Sequence, residues 1–69
     1  MTITVAIPDT IAGALASGDR DPARIVLETL ALEGYRTDRL SEYQVQQLLG
    51  FDYFEDVHRF FSEHGIFPS

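Results

Sequence analysis

The chain has 69 residues, no cysteine, and eleven acidic residues against five arginines, a net charge of −6. That length makes one domain, residues 1–69, with a marginal core, since a chain of this size buries only about 60% of its unfolded surface. The missing thiols exclude a disulfide framework or thiolate metal site, and the acidic balance repels phosphate backbones overall.

Self-association is the remaining aid to a small core, so a homodimer is expected. The charge is uneven: residues 1–40 hold six acids and four arginines, residues 41–69 five acids and one arginine. No stretch is long or apolar enough to span a bilayer, and the N-terminus lacks a basic region followed by an apolar run. The expectation is a cytoplasmic protein without a membrane partner.

The opening "MTITVAIP" alternates β-branched residues and stops at Pro8. It predicts a short strand with Ile3, Val5 and Ile7 inward and Thr2 and Thr4 outward. Nothing later reads as a second strand, so the expected partner is the same strand of another copy, forming a dimer ribbon. Residues 9–17 fit a short helix with Ile11 and Leu15 four apart, weakened by Gly13.

Asp21 before Pro22 is a helix start, a side-chain acceptor followed by a ring suited to the first helical position. The helix is predicted to run to about Arg36. On a wheel of 3.6 residues per turn, Ala23, Val26, Leu27, Leu30, Ala31, Gly34 and Tyr35 form one broad apolar arc. Ile25 and Leu32 lie beyond it, across a gap held by Glu28, and are assigned to a subunit contact together with Ile3, Val5 and Ile7.

Ser41 with Gln44 spells a capping box, and Leu40 with Val45 the accompanying staple. Val45, Leu48 and Leu49 then mark a helix of about two turns closed by Gly50. Asp52 with Glu55 repeats the box for a last helix, with Tyr53, Phe54, Val57, Phe60 and Phe61 as its apolar stripe. Gly65 is placed in the left-handed conformation past its end, with Ile66 folding back on Phe61. The expected fold is therefore mainly α: a short N-terminal strand, then three to four helices, the last two arranged like a helix-turn-helix.

No catalytic constellation emerges. Ser41 and Asp52 read as caps, and Glu55 with His58 is a single carboxylate–imidazole pair, short of the repeated set that binds metal in bundles. His64 reads as a partner of the helix dipole. A non-enzymatic protein without metal or cofactor is expected. The aromatics of the last thirty residues are mostly core, but a two-turn helix cannot cover them all, so Tyr43, Phe54 and Phe67 are candidates for a partner surface.

The stretches "ETLALEGYRTDRLSEYQVQQLLGF" and "VHRFFSEHGI" resemble the uncharacterised protein family 0175, the small predicted antitoxins. Shared features are an alternating start ending at proline, a Leu-Ala-Leu-Glu-x-Tyr-Arg helix (Leu30–Arg36), "LLGF" at Leu48–Phe51 and "EHGI" at Glu63–Ile66. The resemblance covers nearly the whole chain. It implies an antitoxin of a two-gene module, which masks a PIN-like ribonuclease and represses its own promoter. Phe54, Asp56 and Ser62 stand where relatives commonly carry long polar or basic residues, which argues against groove reading by the last helix. If promoter DNA is bound, the expected contacts are Thr2 and Thr4 with Arg20, Arg24, Arg36 and Arg39. The alternative expectation is a protein-interaction adaptor that keeps the fold without DNA binding.

Overall fold

A computed structural model describes residues 1–16 and 18–66. Along them run four helices: α1 (Asp9–Leu15), α2 (Pro22–Arg36), α3 (Glu42–Leu49) and α4 (Phe54–Glu63). Local chemistry sets most of the boundaries. Asp21 Oδ1 accepts the Ala23 amide at 3.1 Å, with Pro22 at the first position of α2. Ser41 and Gln44 close the capping box of α3 in both directions, at 3.2 and 2.9 Å. At the other end of α3, Gly50 takes a φ of 69°, open to glycine without strain.

The end of α4 is a Schellman motif. Gly65, at φ 73°, donates to the Ser62 carbonyl, and the Ile66 amide donates to the Phe61 carbonyl at 2.8 Å. Ile66 then packs against the core, as the hydrophobic contact of that motif requires.

Two expectations are corrected. Residues 1–8 form no strand; they have no regular secondary structure, and among the described residues no strand is present. A strand is stable only when a neighbour takes up its backbone donors and acceptors. The other described residues are helix, turn and short connections, and they supply no such neighbour. Mainly α holds; the strand does not. The second correction is smaller: Asp52 does not cap α4. The cap position falls on Tyr53, without a side-chain bond, and Glu55 and Asp56 in the first turn are left to complement the helix dipole.

The core lies where α2, α3 and α4 meet. Ala31, Val45, Leu49, Val57, Phe60 and Phe61 are buried, and Leu32, Tyr35, Leu40, Leu48 and Phe51 pack around them. Tyr35 stacks on Phe61 with ring centroids 4.3 Å apart. Gly34 is buried beneath Leu40, at a spacing that a β-carbon would violate. By contrast, α1 buries no residue and packs against α2. The chain thus has a three-helix body, α2 to α4, and an N-terminal arm, residues 1–16, laid along one side of α2.

Candidate interaction surfaces

Three surfaces follow from this arrangement. The first is an apolar groove of about 560 Å³ between the N-terminal arm and α2, lined by Ile3, Val5, Ile7, Leu15, Val26, Leu27 and Leu30 among others. The period-two pattern survives here as a shared direction of side chains, without a strand. Helix α2 faces two ways: Ala31, Gly34 and Tyr35 turn to the core, while Ala23, Val26, Leu27 and Leu30 edge the groove. Ile25 borders a shallower apolar hollow next to it, shared with Leu15, Val26 and Leu30. Leu32, assigned with Ile25 to a subunit contact, packs instead against the core.

The second surface is aromatic and lies where α3 begins and α4 begins. Tyr43 is 61% exposed and Phe54 is 41% exposed, as a partner-binding assignment requires. Phe67 lies outside the described residues. Tyr53, read from the sequence as part of the buried stripe, is 68% exposed and belongs with them. Its signal was its position: directly before the first turn of α4 it is a cap residue, off the helical face.

Between these aromatics the two helices are tied together. His58 Nε2 is 3.0 Å from Glu42 Oε2, Phe54 meets the His58 ring edge-on at 5.1 Å, and the Tyr35 hydroxyl donates to Glu42 Oε1 at 3.2 Å. Burial, and then the Glu42 hydrogen bond, raise the Tyr35 phenol above its ordinary value, so it stays a donor. His58 faces Glu42, not the Glu55 that precedes it by three residues.

The third is a polar cleft between α2 and α4, lined by Arg24, Glu28, Asp56, Arg59 and Glu63 over Phe51 and Phe60. Its charges are largely neutralised from within. Arg24 donates to Glu28 at 3.1 Å and to the Leu49 carbonyl at 2.6 Å, and its guanidinium lies 5.4 Å over the Phe51 ring. Arg20 joins the same carboxylate, and Arg59 pairs with Asp56 at 3.1 Å. Burial pushes the Glu28 carboxyl up, but hydrogen bonds from Arg20 and Arg24 outweigh it and hold the group below its usual value.

Three of the arginines read as nucleic-acid contacts are paired within the fold. Arg20 and Arg24 are committed at the start of α2. Arg36, at its end, binds Glu33 at 2.6 Å, an attachment that lowers the carboxyl and raises the guanidinium. The run from Arg24 to Arg36 spans roughly 18 Å of helix. Arg39 is exposed and, among the described residues, makes no ion pair; Thr2 and Thr4 are exposed on the arm.

The fold and these surfaces define a small helical domain with apolar residues left open on two sides and most of its cations paired internally. The chain belongs to the Uncharacterised protein family (UPF0175), whose model matches residues 1–68. No curated protein and no solved structure matches it. No helix among the described residues is long and apolar enough to cross a membrane.

Proposed function

We propose that the chain is a non-enzymatic, antitoxin-like regulator of the cytoplasm whose main work is to bind a protein partner, a ribonuclease of the PIN-like kind, with its own promoter DNA as a second ligand. The observation that carries this reading is the aromatic surface: Tyr43, Tyr53 and Phe54 stand in solvent beside the acidic first turn of α4. Exposed aromatic residues of this kind are the usual anchors of protein interfaces. An RNA-cleaving partner must present cations to a phosphate backbone, and a chain of net charge −6 is steered toward such a surface.

The test is capture of a PIN-like ribonuclease, taken from the adjacent gene where that gene encodes one, by the purified protein, with Tyr53→Ala and Phe54→Ala as variants. Both side chains are exposed, so folding should be kept while affinity falls about tenfold or more. Unchanged affinity in both variants counts against the assignment.

The second reading, an adaptor without DNA binding, is favoured by the internal pairing of Arg20, Arg24, Arg36 and Arg59. Each pairing removes a cation from the set available to phosphate. A salt titration with promoter DNA separates the two. Steep weakening with salt supports the repressor, and no binding at low salt supports the adaptor.

A further inference from the structure

The groove along α2 calls for a cover that the described residues do not provide. Ile3, Val5, Leu15, Leu27 and Leu30 are 76%, 69%, 44%, 36% and 54% exposed, and Ile11 beside them on α1 is 52% exposed. Single exposed aliphatic residues need no explanation, but a contiguous face of them does. Its lining carries no ionisable side chain, although the chain as a whole holds eleven acids and five arginines.

From this we infer that the arm-and-α2 groove is the contact between two copies of the chain, made by side-chain packing of the two α2 faces and arms about a two-fold axis. Two features select a second copy as the occupant. The first is charge. Two molecules of net charge −6 repel each other over most of their surface, and the groove is the extended face free of that repulsion. A basic protein partner, by contrast, gains no charge attraction from a face without carboxylates. The second is area. The exposed aliphatic residues amount to on the order of 500 Å² on each copy, so full pairing removes about 1,000 Å², the size at which a specific interface begins.

A two-fold contact requires a surface that complements itself, and an uncharged apolar face does so. The dimer goes beyond the regulator reading and does not depend on it. The groove shares no residue with the aromatic surface of Tyr43, Tyr53 and Phe54. Each dimer therefore presents two partner surfaces, and a 2:2 complex is the stoichiometry to expect.

The test uses the full chain in sedimentation equilibrium from about 1 to 100 μM, a range that brackets ordinary dimer affinities. The expected mass is twice that of the chain. Leu30→Glu, at the centre of the groove and outside the core, should keep the helical circular dichroism while weakening the dimer about thirtyfold or more. Ile3→Glu, on the arm, repeats the test without touching any helix, and carries it alone if Leu30→Glu unfolds. Tyr53→Glu, outside the groove, should leave the dimer intact. A wild-type chain that stays monomeric at 100 μM overturns the proposal, as does a dimer indifferent to Ile3→Glu. A monomer that instead binds a PIN-like ribonuclease through the groove, with binding abolished by Ile3→Glu, overturns it in favour of that protein as the occupant.

Discussion

Arg24 contacts three groups at once: the Glu28 carboxylate, the Leu49 carbonyl and the face of Phe51. The Leu49 carbonyl is one of the last in α3, a group with no acceptor role left within its own helix. A guanidinium can satisfy it and still bind a carboxylate; a lysine ammonium lacks the planar fork to do both in this geometry. Arg24→Ala should cost about 1–2 kcal/mol through the lost charged hydrogen bond and ring contact. At fixed protein concentration that is a midpoint fall of roughly 5–10 °C. Arg24→Lys should recover less than half of it. Gly34 argues the opposite way from its helix propensity. Alanine is better in a helix by about 1 kcal/mol, yet a β-carbon here would lie 2.4 Å from Leu40 Cδ1 and 2.7 Å from its Cγ. Leu40 cannot swing freely, because its amide is bonded to the Gly34 carbonyl and its side chain packs against the core. Gly34→Ala should therefore destabilise by about 1–3 kcal/mol. In a Leu40→Ala background the sign should reverse, which thermal melts of the single and double variants would register.

At the scale of elements, the two capping-box spellings make an internal control. Ser41→Ala removes an acceptor that is bonded to the Gln44 amide and should cost about 1 kcal/mol. Asp52→Ala removes none and should cost a few tenths at most. Equal losses in urea melts of the two variants would contradict the cap assignment. The contrast also shows what was legible beforehand. Helix starts at Asp21 and Ser41 and stops at Gly50 and Gly65 depend on neighbours two to five residues away, so the sequence displays them in full. The choice between Asp52 and Tyr53 as cap depends on where Phe60 and Phe61 must lie to reach Tyr35 and the core, and no local spacing contains that. The same holds for α2. Its breadth of apolar surface was readable, but which side met α3 and α4 was decided by Gly34 admitting Leu40. That choice buried Leu32 partway and left Leu27 and Leu30 outside. The strand failed for the plainest reason: alternation reports facing, whereas a strand also needs a hydrogen-bonding neighbour. The candidate surfaces divided likewise. The exposure of Tyr43 and Phe54 was legible from the arithmetic of too many aromatics for a short helix, while the pairing of arginines within the fold is invisible in a list of residues.

For the whole molecule, charge and stability meet at Glu28, whose side chain is 16% exposed between Arg20 and Arg24. Its carboxyl sits below the ordinary value of 4.5 in the folded chain. A depressed folded value means stability that is present in full above the unfolded value and is lost as the pH falls through the folded one. Glu33, held down by Arg36, contributes in the same direction at an exposed site where solvent screens most of the effect. An opposing trend acts on the whole surface: as the pH drops toward an isoelectric point near 4.5, the self-repulsion of a −6 chain fades. The acid profile of the native protein mixes the two and cannot by itself assign either. Glu28→Gln separates them, because it removes one charge-assisted bond while leaving nearly all of the surface charge in place. The gap in melting midpoint between native chain and variant should be several degrees at pH 7. It should shrink below about pH 4.5, as the native carboxyl takes up its proton, and close once the pH has passed the folded value. A gap that stays constant from pH 7 to pH 3 would mean that Glu28 acts through shape alone, and the charged tie joining Arg20 and Arg24 would have to be given up.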